Sequence, residues 1–241
     1  MFYTDDQVKR HDNLICKPSG AYNLYAAFIG PNPSTSFNPC SIAPSIDPTS
    51  FIGPFAVIIG DVTIRRNVFI APNVSVRADE GFPFHIGSNT NLQDGVVLHG
   101  LKDGRVCVDG EEFSIYLGDN ISCAHGCLIH GPCRLHNNVF VGFKAIVFNA
   151  IVGEGSYIST NALVTGGINI APSRFVPAGA VIDTQAKANA LAPVPTSDKE
   201  FAEDVQHVNQ EFPSAYSMMF GSIRCSCGLA CDPESLDELN R

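Results

Sequence analysis

An aliphatic side chain at every sixth position is the feature that most constrains the fold of this chain. The series is interrupted by a four-residue and a 13-residue insertion and is shortened once by one residue. This period is typical of hexapeptide β-helices, in which each hexad forms one short strand with its turn and three hexads close a coil of about 18 residues. The positions are Ile46, Ile52, Ile58, Ile64, Ile70, Val76, Ile86, Leu92, Leu98, Leu117, Cys123, Ile129, Leu135, Val141, Val147, Val152, Ile158, Val164, Ile170, Val176 and Ile182.

The competing interpretation is a β-sandwich of short strands. A sandwich predicts alternation of apolar and polar residues but no sustained period of six, so the repeat favours an all-β parallel β-helix. Glycine follows the aliphatic position at Gly87, Gly118 and Gly153, where a tight corner needs a permissive backbone. The spacing of the repeat does not determine the handedness of the coil. Parallel crossover connections are normally right-handed.

The period places two histidines one above the other. His99 and His130 are 31 residues apart, and without the 13-residue insertion the separation is 18, one coil. Arg77 precedes His99 by 22 residues, which is again one coil without the four-residue insertion. Neighbouring strands lie about 4.8 Å apart and a zinc–nitrogen bond is about 2.0–2.1 Å. Two stacked imidazoles can therefore lean towards one ion.

A third histidine lies on an adjoining face of the triangle. His125 is two residues after the inward Cys123, and Asp94 is its equivalent one coil earlier. His125 does not easily join the ion of its own chain, but it becomes a third ligand if three prisms pack side by side. Closed cyclic symmetry then gives a homotrimer with three sites.

A cluster of imidazoles next to an arginine is unfavourable without a cation to bind. Three histidines with one open position lower the pKa of a zinc-bound water to near 7 and make a hydroxide nucleophile. Iron or cobalt ions use the same ligands, so Zn²⁺, Fe²⁺ and Co²⁺ all remain candidates. The other histidines, interpreted as surface or packed residues, are His11, His85, His136 and His207.

Three segments carry a resemblance to a known family. Residues 77–81 (RADEG), 91–100 (NLQDGVVLHG) and 124–132 (AHGCLIHGP) resemble the γ-class carbonic anhydrases, and the likeness covers most of residues 46–216. The resemblance implies a left-handed β-helix that assembles as a homotrimer. It also implies that His99, His125 and His130 are the metal ligands, in agreement with the spacing.

The resemblance further implies roles for five neighbours of the metal. Glu80 matches the glutamate that handles the proton of the metal-bound water, and Gln93 matches a residue that hydrogen-bonds the metal-bound solvent. Asn209 matches an asparagine that contacts the substrate or bicarbonate. Arg77 and Asp94 match a pair that forms a salt bridge across the trimer interface.

The chain departs from the family pattern in its proton-transfer residues. Lys102 stands where an acidic proton shuttle is expected, and a protonated lysine cannot accept a proton. His207 replaces a tyrosine near Asn209, and its imidazole makes it a candidate compensating shuttle. We therefore expect slow turnover unless Glu80, His207, water or buffer exports the proton.

Flanking regions complete the predicted organisation. Residues 1–45 are interpreted as an N-terminal extension, 46–182 as the β-helix, 183–221 as a C-terminal helical segment and 222–241 as a cysteine-containing tail. Within the helical segment, residues 197–200 read as a capping box. The apolar stripe of the helix is Phe201, Val205, Val208 and Phe212, with Asn209 one residue off it.

The tail contains Cys225, Cys227 and Cys231, which are candidate redox residues. Their spacing is unusual for zinc and a fourth ligand is missing, so a disulfide or free thiols are favoured. One hypothesis pairs Cys225 or Cys227 with a cysteine of the N-terminal extension. Those partners would be Cys16 or Cys40.

Composition excludes several classes of function. The formal net charge of −9 argues against binding to nucleic acids. No signal peptide and no membrane-spanning run is recognisable, so we expect a cytoplasmic protein or one inside a carboxysome-like compartment. The predicted function is reversible hydration of carbon dioxide to bicarbonate. The alternatives are a catalytically weak or inactive carboxysome-type scaffold with assembly partners and, less favoured, a hexapeptide acyltransferase.

Overall fold

The computed structural model describes residues 27–220, which form strands β1–β22 and helices α1 and α2. The strands are β1 (Phe28–Gly30), β2 (Ser45–Ile46), β3 (Phe51–Ile52), β4 (Val57–Gly60), β5 (Val62–Ile64), β6 (Phe69–Ile70), β7 (Ser75–Ala78), β8 (Phe84–Ile86), β9 (Asn91–Leu92), β10 (Val97–Gly100), β11 (Val106–Val108), β12 (Glu111–Phe113), β13 (Ile115–Leu117), β14 (Ser122–Cys123), β15 (Leu128–Leu135), β16 (Phe140–Val141), β17 (Ile146–Val152), β18 (Tyr157–Ile158), β19 (Leu163–Val164), β20 (Ile168–Ile170), β21 (Phe175–Val176) and β22 (Val181–Ile182). The helices are α1 (Gln185–Asn189) and α2 (Thr196–Phe220).

The strands stack in parallel into a three-faced solenoid. Face one contains β3, β6, β9, β14, β16, β18 and β21. Face two contains β1, β4, β7, β10, the first halves of β15 and β17, then β19 and β22. Face three contains β2, β5, β8, β13, the second halves of β15 and β17, then β20. The predicted parallel solenoid of hexapeptide repeats with a C-terminal helix is confirmed.

The inward positions are those that the period predicted. Every aliphatic position from Ile52 to Ile182 is buried, and Ile46 at the first rung is partly buried. Each such side chain contributes about 1.5–3 kcal/mol when it is fully removed from water. The core is therefore a continuous apolar column along the solenoid axis. The outward-facing residues are not part of this core and can form a functional site.

An asparagine ladder organises the corner between face three and face one. Asn67, Asn89, Asn120 and Asn138 all have positive φ, which asparagine tolerates better than most residues. Their side-chain amides donate from one coil to the next at 3.0, 3.2 and 3.1 Å. The ladder keeps successive coils in one register. Because the register is constant, the separation of two residues in the sequence predicts whether they stack.

The two insertions leave the solenoid at one corner. The four-residue insertion lies between β7 and β8, and the 13-residue insertion between β10 and β13 includes the antiparallel hairpin of β11 and β12. Both insertions protrude at the corner between face two and face three. The strand register of the coils is therefore the same before and after them, with Ile115 beside Phe84 on face three.

Part of the predicted N-terminal extension joins the solenoid. β1 pairs in parallel with β4, so that Ile29 lies beside Ile58. The following loop closes around the buried Asn32, whose amide donates to the carbonyl of Cys40 (2.8 Å) and accepts from the backbone of Ile42 (2.9 Å). This part of the extension is an ordered rung and loop rather than a loose segment. Residues 1–26, including Cys16, lie outside the described residues.

The predicted capping box of α2 is wrong. The helix begins at Thr196, and the Ser197 hydroxyl contacts the Asp198 carboxylate at 3.4 Å instead of capping the helix.

The predicted apolar stripe of α2 is confirmed in part. Val205 and Phe212 pack against the solenoid, and Phe201 contacts an aromatic ring of face one. Val208 is 50 % exposed, whereas Asn209 is 8 % exposed and belongs to the buried face.

The cysteine hypothesis is not addressed by the described residues. Cys225, Cys227 and Cys231 lie beyond residue 220. Cys40 is an exposed free thiol. Among the helices within residues 27–220, none is long and apolar enough to span a membrane.

Candidate metal centre

Face two brings His99 and His130 together. β10 and β15 run in parallel with His99 beside His130, and β7 places Arg77 on the other side of His99. The predicted stacking is confirmed, because both insertions fall outside the paired strands. His99 Nδ1 lies 3.3 Å from His130 Nε2.

The surroundings of this pair require a positive charge. His130 Nδ1 donates to the carbonyl of Gly131 at 3.0 Å, so Nε2 of a neutral ring carries a lone pair. His99 Nε2 lies 3.3 Å from Asp79 Oδ1 without hydrogen-bond geometry, and both atoms are buried without a hydrogen-bond partner. Whichever nitrogen of a neutral His99 carries the proton, two lone pairs face each other. One cation between these groups removes the repulsion, so the residues fit a metal ion.

Asp79 is a residue that the sequence reasoning missed. Burial acts to raise its pKa, but the hydrogen bond and charge of Arg77 outweigh this and hold the pKa of Asp79 below its ordinary value. Arg77 Nε donates to Asp79 Oδ2 at 2.9 Å. Asp79 therefore stays ionised and places a fixed negative charge behind His99. The one signal in the sequence was an acidic residue two positions after the arginine of the stack.

Glu80 approaches the same pair from the solvent side. Its Oε2 lies 3.9 Å from His99 Nε2, and its side chain is half-exposed. Oε1 accepts a long hydrogen bond of 3.4 Å from the backbone of Lys102. Glu80 is thus close enough to exchange a proton with a group bound between the histidines, and it remains in contact with water.

His125 lies in the turn between β14 and β15, on the corner between face one and face two. Its side chain is 55 % exposed, and Nδ1 lies 3.1 Å from Asp94 Oδ2. The ring stacks on Phe143 with centroids 5.8 Å apart and 7° between the planes. These two contacts hold the ring at the exposed surface of the corner.

Gln93 and Asn209 share a cavity of about 450 Å³ with His125. Both amides are buried; Gln93 donates to Asn91 Oδ1 at 3.1 Å and Asn209 to the carbonyl of Val205 at 2.9 Å. Val205 and the other apolar side chains of α2 line the opposite wall. The cavity therefore combines a mainly apolar wall with oriented amides, next to one imidazole.

The predicted site residues, together with Asp79, thus fall into two groups. The face-two group is His99, His130, Arg77, Asp79 and Glu80; the corner group is His125, Gln93, Asp94 and Asn209. Within residues 27–220 of one chain, no three His, Cys, Asp or Glu side chains converge to hold a metal ion.

Arg77, Asp94 and His207 keep predicted roles that a single chain does not test. Within the chain Arg77 pairs with Asp79 and Asp94 pairs with His125, while the predicted salt bridge between Arg77 and Asp94 crosses a trimer interface and stays a prediction. His207 is 79 % exposed and lines a separate cavity of about 950 Å³. Its role as a proton shuttle stays a prediction, as do the ligand roles of the three histidines.

Comparisons with known proteins are consistent with this geometry. The profile of bacterial transferase hexapeptide proteins (six repeats) matches residues 43–78. A putative acetyltransferase from Bacillus cereus superimposes with a TM-score of 0.66 at 23% identity, covering 80% of this chain and 99% of its own, which shows the fold alone.

Two relatives show the family. The carboxysome assembly protein CcmM of Nostoc sp. is 45% identical over 76% of this chain, and the chain spans 33% of that protein's length. The carbonic anhydrase of Methanosarcina thermophila is 40% identical, over 77% of this chain and 79% of the enzyme. The chain belongs to the γ-class carbonic anhydrase family.

Proposed function

We propose that this chain catalyses the reversible hydration of carbon dioxide to bicarbonate at metal sites built between the chains of a homotrimer. The observation that carries the proposal is the stacked pair of His99 and His130, whose facing nitrogens favour a cation and which has no third imidazole beside it within residues 27–220 of the same chain. His125 is complementary, since its exposed ring lies at another corner and contacts Asp94 and Phe143 but neither of the other two histidines. The 40% identity to a carbonic anhydrase supports the same reaction.

In this proposal His99 and His130 of one chain and His125 of the next hold the metal. The donor set of three imidazoles suits Zn²⁺, and equally Fe²⁺ or Co²⁺. A metal with this ligand set supplies a nucleophile at neutral pH by acidifying water.

The side chains around the metal have separate roles in this proposal. Glu80 accepts the proton and passes it to water, because its carboxylate lies beside His99 and is half-exposed. Gln93 and Asn209 orient the oxygens of the substrate with their amides. The apolar wall of the cavity favours carbon dioxide over water in the space between them.

An apolar ladder on face two supports the homotrimer. Outward-facing aliphatic side chains continue from coil to coil next to the histidine column, and strand pairing places them side by side. Such a stripe is a surface that a second chain covers. Its members are Val97, Leu128, Ile146, Leu163 and Val181, of which Val97, Ile146 and Val181 are exposed.

Proton export is the step in which this chain differs from the family pattern. Lys102 directs its ammonium to Asp103 at 3.4 Å and offers no basic site. Export therefore depends on Glu80, with His207 as a candidate second route and solution buffer as a third. Turnover that rises with buffer concentration is the expected consequence.

A second candidate function is a scaffold that retains the fold with weak or no catalysis. The specific observations that favour it are Lys102 at the shuttle position and the 45% identity to a carboxysome assembly protein. In that case the chain has protein assembly partners and works in a carboxysome-like compartment in the cytoplasm. Redox control through Cys225, Cys227 or Cys231 is compatible with either function.

Stopped-flow measurement of carbon dioxide hydration on purified, metal-analysed protein tests the proposal. We expect activity in the wild type, its loss in His99→Ala and its retention in His136→Ala, which removes a histidine outside both groups of site residues. A metal-loaded trimer without hydration activity, both oxidised and reduced, would rule out the enzyme and favour the scaffold.

A further inference from the structure

Three site residues on face two are each followed directly by glycine. Gly81 follows Glu80, Gly100 follows His99, and Gly131 follows His130. The three glycines come from different coils and insertions, yet they all lie at the corner between face two and face three. None of them has a positive φ, so their backbone conformation does not require glycine.

The three glycines surround one side chain, that of Ser114. A Cβ atom on Gly100 would lie 2.1 Å from Ser114 Oγ, and one on Gly81 would lie 2.4 Å from the same atom. A Cβ atom on Gly131 would lie 2.3 Å from the Ser114 carbonyl oxygen. Ser114 therefore leaves no room for a side chain at Gly100 and Gly131, and at Gly81 it does so together with the backbone of Gly100 and Leu101.

Backbone hydrogen bonds tie this corner to the site residues. Gly81 donates to the carbonyl of Gly100 at 3.1 Å, which joins the segments of Glu80 and His99. Cys133 donates from its backbone to the Ser114 carbonyl at 3.0 Å and from its thiol to the His130 carbonyl at 3.0 Å. Ser114 is therefore linked to the His130 segment through Cys133, and to the joined segments of Glu80 and His99 through its close approach to Gly81 and Gly100.

The Ser114 hydroxyl contributes through its volume. Ser114 is fully buried, and its Oγ has no hydrogen-bond partner. The hydroxyl causes the severe conflict at Gly100, whereas the Cβ of Ser114, 3.2 Å from the position of an added methyl group, would have to move by only a few tenths of an ångström. The fit between Ser114 and the glycines is thus tight in more than one direction.

We propose that Ser114 is a positioning residue of the metal site: packed against Gly81, Gly100 and Gly131, it sets the spacing between His99, His130 and Glu80. The inference rests on the proposed function, since it assumes that the two histidines hold a metal. Ser114 itself touches neither the metal nor the substrate. It acts through the backbone of the residues that do.

The test is the affinity for Co²⁺ and the visible spectrum of the Co²⁺-loaded protein, measured without reference to catalysis. Gly100→Ala should weaken Co²⁺ binding at least about tenfold, the range for changes behind metal ligands, and shift the absorption bands. The double variant Gly100→Ala/Ser114→Ala should recover most of the affinity and the original spectrum, because it removes the 2.1 Å contact. Ser114→Cys is a milder enlargement that should weaken binding in the same direction.

Gly153→Ala is the matched control. Its Cβ would lie 2.5 Å from the backbone nitrogen of Pro172, so it creates a similar clash in another coil, away from face two. We expect it to lower the melting temperature and to leave the Co²⁺ spectrum unchanged.

The outcomes separate the two proposals. A wild-type protein that binds no Co²⁺ contradicts the proposed function. A wild-type protein that binds Co²⁺, together with a Gly100→Ala variant of equal affinity and spectrum, contradicts the positioning role of Ser114. The same holds if the double variant binds as weakly as Gly100→Ala alone.

Discussion

Groups without a partner define the candidate site at the scale of single residues. His99 Nε2 and Asp79 Oδ1 are buried, lie 3.3 Å apart and make no hydrogen bond. An unpaired buried polar atom costs about 1–3 kcal/mol, and more when it is charged. We therefore expect the ionised Asp79 to increase the affinity of the histidine pair for a cation, although the sequence did not predict that it belongs to the site.

Asp79→Asn removes this charge with little change in shape. We expect metal affinity to fall about 10–100-fold, because groups behind a metal ligand orient it and raise its basicity. Competition with a chelator measures the change. Asp103→Asn is the control, since it removes a carboxylate that is exposed near the same loop. Equal affinities for both variants would exclude a role for Asp79.

His85 makes the stability of the fold depend on pH. Burial, and then the charge of Arg65, lower the pKa of His85 below its ordinary value of 6.5. Between its folded and unfolded pKa values, the unfolded chain binds more protons, so the free energy of unfolding falls as pH decreases below about 6.5. His85→Gln should flatten this decline in melting temperature from pH 7.5 to pH 5. An unchanged slope would contradict the assignment.

The stacking of single residues could be predicted, whereas their ring orientations could not. His99 and His130 follow from arithmetic, because parallel strands in a solenoid keep one register per coil. The directions of their nitrogens depend on Asp79, on the Gly131 carbonyl and on side-chain torsions that packing decides. The close packing of Gly100 against Ser114 likewise joins the two ends of the 13-residue insertion, whose folded path has no repeat to follow.

At the scale of elements, α2 is attached to the solenoid by polar contacts in its middle and aromatic contacts towards its end. Gln206 Oε1 accepts from Asn91 at 3.2 Å and from Ser122 at 2.9 Å, and its amide donates to the carbonyl of Asn89. Phe212 packs on Phe69 with ring centroids 5.1 Å apart. The apolar stripe was a partial guide here, because Val205 and Phe212 pack on the coils while Gln206 lies on their polar side chains.

Gln206→Ala should lower the free energy of unfolding by about 1–3 kcal/mol, since it removes three hydrogen bonds and leaves partners unpaired. Urea denaturation measures the loss. Gln210→Ala, one turn later on the same helix, is the control because its side chain makes no hydrogen bond in the described structure. A loss of the same size in both variants would point to helix propensity instead.

At the scale of the whole molecule, the exposed apolar ladder of face two predicts association. Ile146→Asp places a charge in the middle of this ladder, beside the coil that carries His130. We expect the trimer to dissociate in sedimentation experiments. Met218→Asp changes an exposed apolar residue near the end of α2 and should leave the trimer intact. A trimer that survives Ile146→Asp would require another interface.

The repeat predicted the solenoid, its burial pattern and the separation of His125 from the histidine pair. The same spacing stacks the outward ladder from Val97 to Val181, but it does not show that a partner covers these side chains. The position of α2 could not be predicted either, because the helix lies outside the repeat and Gln206 bonds to polar side chains of the coils.

The central claim is that each metal site is built from two chains, and subunit complementation tests it directly. His99→Ala and His125→Ala homotrimers should each bind metal poorly. Trimers co-assembled from equal amounts of the two variants should regain about one quarter of the wild-type sites, because a His125→Ala chain supplies His99 and its neighbour supplies His125. Confirmed mixed trimers that bind no more metal than the parent variants would contradict a site divided between chains.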